Sequence, residues 1–141
     1  MMRVIRRLCG VTAVFVLAVG CSSNKPELAQ LSGKVTFKGA PVPAGWISFT
    51  PGPGVGSVRV CQIKDGVYDS SKEGEPGIHP GRNTIRIGGF DGKKIPLWGQ
   101  GKQIFNPTEE EFDVPGGTTT KDFVIPDSAG KNVKIQPTAD T

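Results

Sequence analysis

The chain has 141 residues, with 17 Lys and Arg against 13 Asp and Glu, one His and three Cys. That length accommodates one domain, and a lone histidine excludes a His-rich metal centre. Three of the 17 basic residues, Arg3, Arg6 and Arg7, fall within residues 1–20, which hold no acid, so 14 remain against 13 and the basic balance is no nucleic-acid footprint.

The N-terminal stretch reads as an export signal. Behind the three arginines, Val11 to Val19 is apolar apart from Thr12, too short for the roughly 20 residues that span a membrane. Ala18 and Gly20 then supply the small residues of a cleavage site before Cys21. Leu17-Ala18-Val19-Gly20-Cys21 resembles the lipobox of bacterial lipoproteins. The resemblance implies that the Cys21 thiol is acylated and that the chain is cut just before it. Ala18 stands where that family prefers leucine, with Leu17 one step earlier. The alternative is an ordinary signal peptide that leaves Cys21 a bare thiol. Residues 21–30 are then a lipidated cysteine and polar tether, beginning Ser22-Ser23-Asn24-Lys25-Pro26-Glu27. Palmitate-type chains hold such an anchor at about 0.8 kcal/mol per buried CH₂. Ser22, rather than Asp, follows the cysteine; the resemblance then implies the outer membrane where a host has two.

From Leu31 the signals are β. Glycine (20) and proline (12) punctuate short β-rich runs, at a density well above the usual ~12%. Leu31, Gly33, Val35 and Phe37 alternate with polar residues as a first strand. Lys38-Gly39-Ala40-Pro41 is a turn. Trp46 to Thr50 is a second strand with Ile47 and Phe49 inward, and Pro51-Gly52-Pro53-Gly54 ends it. Ser57 to Lys64 is a third strand, and Asp65-Gly66 a hairpin turn into Val67-Tyr68-Asp69. A polar loop follows to Pro80, then a strand from Arg82 to Gly88 with Ile85 and Ile87 on one face. Gly89 to Lys102 reads as a long loop carrying Trp98. Glu110 to Val114 and Lys121 to Ile125 are the last strands. Residues 126–141 read as a loose tail, with a short strand possible over Asn132 to Ile135. About seven closely spaced strands predict a small all-β antiparallel sandwich over residues 31–125.

The order of these motifs resembles carboxypeptidase regulatory-like, or transthyretin-like, β-sandwich domains. Leu31-Ser32-Gly33-Lys34-Val35-Thr36-Phe37-Lys38-Gly39-Ala40-Pro41-Val42-Pro43 looks like their opening, Ile47-Ser48-Phe49 like their second strand, and Asp65-Gly66-Val67-Tyr68 like their turn. Pro80-Gly81-Arg82-Asn83-Thr84-Ile85-Arg86-Ile87 is similar to a further motif, with Asn83 replacing the usual aromatic. Lipoproteins of planctomycete-type bacteria carry such domains, with a segment like Gln103-Ile104-Phe105-Asn106-Pro107 before the last two strands. The resemblance implies an Ig-like or transthyretin-like fold and a supporting or binding module; fold does not set function.

Catalytic chemistry finds little to work with. His79 would have to serve any Ser-His-Asp arrangement, yet it precedes a Pro-Gly turn and reads as a loop histidine. Cys61, the one thiol inside the domain, reads as a small buried hydrophobe, reactive only if exposed beside Arg59. Glu109, Glu111 and Asp113 share a strand face and read as a solvated face rather than a calcium loop. Trp46 reads as a core residue capping an edge, with contact to a sugar ring or a protein partner as the alternative. Trp98, flanked by Lys94, Gln100 and Lys102, is equally a candidate contact for a ligand or partner. The expectation is therefore a non-enzymatic envelope lipoprotein without cofactor, metal or nucleic-acid partner. It is anchored by lipid at Cys21 and acts as a structural or protein-interaction module. The alternative is a carbohydrate-binding module that takes envelope polysaccharide.

Overall fold

The computed structural model describes residues 27–72, 77–94 and 99–134; Cys21, Trp98 and the segment beyond Lys134 lie outside them. Among the described residues nine strands follow in chain order: β1 Gln30–Phe37, β2 Ala40–Pro41, β3 Ala44–Pro51, β4 Arg59–Lys64, β5 Val67–Asp69, β6 Gly81–Phe90, β7 Gln103–Val114, β8 Thr118–Thr120 and β9 Phe123–Ile125. The fold is all-β, as the alternation predicts. Two turns have the same chemistry: Lys38-Gly39 and Asp65-Gly66 both take φ of 50° and then 75°, the double positive φ that matches strand twist in tight hairpins.

Hydrogen bonding orders the strands β2-β1-β5-β4-β3-β6-β7. Neighbours along this path are antiparallel, while β8 and β9 run parallel to β1 on its other side. Ser32 shows this placement, since it pairs with Asp69 of β5 and with Thr120 of β8.

The sheet curls until its two ends meet. β7 ends the path and β8 lies beyond β1, on its far side, yet only Pro115-Gly116-Gly117 joins them. Four residue steps reach at most about 14 Å, whereas the five strand spacings from β1 to β7 would span roughly 24 Å in a flat sheet. Phe37 of β1 and Phe105 of β7 accordingly meet inside, with ring centroids 5.1 Å apart. Across the closing seam the Lys121 ammonium lies 5.1 Å from the Phe112 ring and 5.4 Å from the Phe123 ring.

The enclosed core takes every second residue. Leu31, Val35, Ile47, Phe49, Tyr68, Ile85, Ile87 and Phe105 are almost wholly removed from solvent, each contributing about 1.5–3 kcal/mol. Tyr68 packs between Phe49 and Phe123, with centroids 6.1 and 5.7 Å away. Its hydroxyl donates to the Lys121 carbonyl at 2.7 Å. The link between β8 and β9 crosses here over Gly33, where any Cβ would collide with the Lys121 carbonyl oxygen.

Several expectations need correcting. β7 begins at Gln103, not Glu110, and absorbs Pro107; an end strand tolerates a proline because it has no ladder to break on one side. β6 runs on to Phe90, so the long loop shrinks to residues 91–102. The third strand starts at Arg59 rather than Ser57. The strand count rises to nine because β2 and β8 are ladders of two and three residues. The first part of the expected loose tail is held: Asp127–Gly130 forms a 3₁₀ turn, and Ala129 packs against the core. The Asn106 side chain donates to the Lys131 carbonyl at 3.1 Å and accepts from the Lys134 amide at 3.1 Å. Residues 132–134 form no strand. Trp46 is not a core residue; it shares the outer face of β3 with Ser48 and Thr50, opposite in phase to Ile47 and Phe49.

Candidate functional site

The β6–β7 loop is built on a fixed base. Beyond the Phe90–Gln103 pair, the Asp91 amide donates to the Lys102 carbonyl at 2.9 Å and the Gly92 amide to the Gln100 carbonyl at 3.0 Å. The Asp91 carboxylate closes the base, with Oδ1 accepting from the amides of Lys93 and Lys102, each at 3.0 Å. Gly101 takes φ of 88° and leaves no room for a Cβ beside that carboxylate. Lys93, Lys94, Gln100 and Lys102 are all exposed on this base. The structure thus brings Lys94, Gln100 and Lys102 to one loop, while Trp98 and Cys21 lie outside the described residues.

The loop's position in the fold bears on its use. The chain enters the domain at Ala29, whose amide and carbonyl pair with Ile78, just before β6 begins. The loop leaves at the other end of β6, ten residues on, or roughly 30 Å away at ~3.4 Å per residue.

A second feature is the outer face of β3, β6 and β7. Alternation sends Arg82, Thr84 and Arg86 outward on β6, opposite Asp113, Glu111 and Glu109 on β7. Arg82 pairs with Glu111 at 3.6 Å and Arg86 with Glu109 at 3.5 Å, all well exposed, so each pair adds under about 1 kcal/mol. This agrees with a solvated acidic face and gives it basic partners. An open recess of about 480 Å³ lies at one end, lined by Thr50, Pro51, Gly52, Pro53, Arg82, Thr84 and Glu111. The two arginines were readable from sequence: they sit at even spacing in a strand whose other phase is Asn83, Ile85 and Ile87.

The titratable groups considered for catalysis are placed as follows. His79 is half-buried, with its ring against Gly56 and its carbonyl accepting from the Asn83 amide at 2.9 Å. Cys61 points inward at 2% exposure, opposite Ile47. Burial pushes the Tyr68 phenol well above the usual range, and the neighbouring Cys61 and Asp122 push it further. The Asp69 carboxylate is held below its ordinary range by the Ser71 hydroxyl and amide. Among the described residues, no three His, Cys, Asp or Glu side chains gather as metal ligands would.

Comparison with known proteins adds little. No protein-family model matches the chain, and no curated protein matches it. Among solved structures, it is similar to a DUF3823 family protein from Parabacteroides merdae ATCC 43184, at 14% identity and a TM-score of 0.38. The match covers 68% of this chain and 44% of that one, so the chain spans less than half of its neighbour's length.

Proposed function

We propose that the chain is a lipid-anchored envelope lipoprotein whose β domain, of the carboxypeptidase regulatory-like or transthyretin-like kind, is a non-catalytic protein-interaction module. The observation that carries this reading is the opposition of entry point and loop. The tether joins the domain beside Ile78, and the clamped β6–β7 loop projects from the far end of β6. A domain anchored through Cys21 would then hold Lys93, Lys94 and Lys102 away from the lipid surface. The eight residue steps from Cys21 to Ala29 reach at most roughly 28 Å, which keeps the domain close to its membrane.

The loop has the properties of a contact element. Its base is fixed before any partner arrives, which lowers the ordering cost of association. Three ammonium groups on one loop favour a partner with an acidic patch and speed encounter with it. The anchor is tested by fractionating host cells fed labelled palmitate. The wild-type chain is expected in the membrane fraction, labelled, in the outer membrane of a two-membrane host. Cys21→Ala is expected to be unlabelled and soluble. Retention of Cys21→Ala in the membrane would overturn the anchor.

A further inference from the structure

We infer that the outer face of β3, β6 and β7 is a binding site for an extended neutral saccharide, with Trp46 as its stacking platform. The inference is independent of the β6–β7 loop and of the anchor. Trp46 stands directly opposite Gly88 on β6 and Gln62 on β4. A Cβ on Gly88 would lie 2.6 Å from indole Cε2, 2.7 Å from Nε1 and 2.8 Å from Cζ2. The indole therefore lies over Gly88, and the absence of a side chain there is what lets it rest on the sheet. It remains half-buried rather than enclosed in the core.

From this ring a polar strip runs the length of β6. Its successive outward positions are Gly88, Arg86, Thr84 and Arg82, about 20 Å from end to end at ~3.4 Å per residue. Thr50 flanks it on β3, beyond the buried Ser48, and Glu109 and Glu111 on β7. The strip ends in the recess of about 480 Å³ beneath the Pro51-Gly52-Pro53 lip. An aromatic platform and an open recess edged by Thr50, Arg82, Thr84 and Glu111 thus occupy two ends of one face.

The chemistry selects the occupant. A pyranose has an apolar C–H face that stacks on an indole, and hydroxyl edges that need donors and acceptors together. The Arg86–Glu109 and Arg82–Glu111 pairs, 3.5 and 3.6 Å apart, place donors and acceptors side by side. Two arginines face three carboxylates, so the face carries no positive excess to hold a polyanion such as nucleic acid. Sugar hydroxyls can replace the water around these ion pairs, whereas a dry protein surface would have to desolvate them.

The test uses the chain carrying Trp98→Phe, in which Trp46 is the sole tryptophan, titrated with cellohexaose, maltohexaose and chitohexaose. At least one is expected to change Trp46 emission saturably. Arg86→Ala or Glu111→Gln should weaken that binding roughly tenfold by loss of a charged hydrogen bond. Trp46→Ala should abolish the binding in calorimetry. Gly88→Ala, which displaces the indole without touching the core, is the second variant; near-ultraviolet dichroism of Tyr68 reports an intact fold in each. The inference is overturned if none of the three hexasaccharides alters Trp46 emission, or if binding survives both Trp46→Ala and Gly88→Ala. It is also overturned if emission changes with protein concentration alone, which would make the face a contact between copies.

Discussion

Replacing Tyr68 with phenylalanine deletes one oxygen at the crossing between β8 and β9 and leaves the ring in place. That oxygen donates at 2.7 Å to the Lys121 carbonyl, in the link that carries the chain from β8 to β9. Besides this bond the link has two nearby ties, the Lys121 amide to the Ser32 carbonyl at 2.9 Å and the Lys34 amide to Asp122 at 2.8 Å. Because the ring contacts with Phe49 and Phe123 survive, the loss is one hydrogen bond plus an acceptor left in a partly buried site, about 1–2 kcal/mol. For a domain of roughly 100 residues each kcal/mol shifts Tm by about 4–8 °C, so a fall of roughly 4–16 °C is expected. The assay is urea unfolding followed by tryptophan fluorescence, with a thermal melt beside it. The midpoint should drop with an unchanged slope, since the exposed surface is the same. A change within about 0.3 kcal/mol would refute the reasoning and show that the crossover is held without the phenol.

The same residue predicts alkaline behaviour, and it is the only tyrosine in the chain. Its folded pKa is raised, so the phenol's contribution is fully present below the unfolded value of about 10 and is lost as pH rises above it. Tyrosinate absorbance should therefore be missing near pH ~10 in the folded protein and present there in urea; equal titration in both states would contradict the burial. Gly33→Ala puts a methyl group against the Lys121 carbonyl oxygen and should cost about 3 kcal/mol, because backbone on both sides must move; a stability equal to wild type would mean the crossing is loose. Asn106→Ala removes the side chain that holds Lys131, Asn132 and Lys134. It should leave global stability within about 1 kcal/mol while speeding proteolysis after Lys131 and Lys134. Unchanged cleavage would show that the 3₁₀ turn alone fixes this segment.

The strands were legible where one phase was purely apolar. Leu31, Val35 and Phe37, or Ile85 and Ile87, announce a period of two and an inward face at once. The Lys38-Gly39 and Asp65-Gly66 turns were legible for a separate reason, since few residues besides glycine accept the second positive φ. β7 was hidden because its first half mixes Pro107 and Asn106 with a single fully buried residue, Phe105. Its partner residues on β6 are Gly89 and Phe90, and a glycine pair reads locally as a loop. Only the tertiary packing shows why glycine is there: Phe105 and Val42 fill the inner side at Gly89, and Trp46 the outer side at Gly88.

The candidate sites divide along similar lines. Alternation correctly put Glu109, Glu111 and Asp113 on one face, but their arginine partners lie more than twenty residues away, and their register depends on where β7 begins. Trp46 reads as core because aromatic residues in strands usually face inward, whereas its phase relative to Ile47 and Phe49 points outward. The clamp at Asp91 carries no local motif, since its partners are backbone amides on both arms of the loop.

On the proposed reading, the β6–β7 loop is the domain's contact surface. Site-specific photocrosslinking in living host cells tests this directly, with the crosslinker at Lys94 on the loop and, for comparison, at the exposed Val55 near the opposite end of β6. A discrete adduct from Lys94, missing from Val55 and lost when Lys93 and Lys102 are changed to Glu, is the predicted result. Adducts of equal yield from both positions, or none from Lys94, would contradict it.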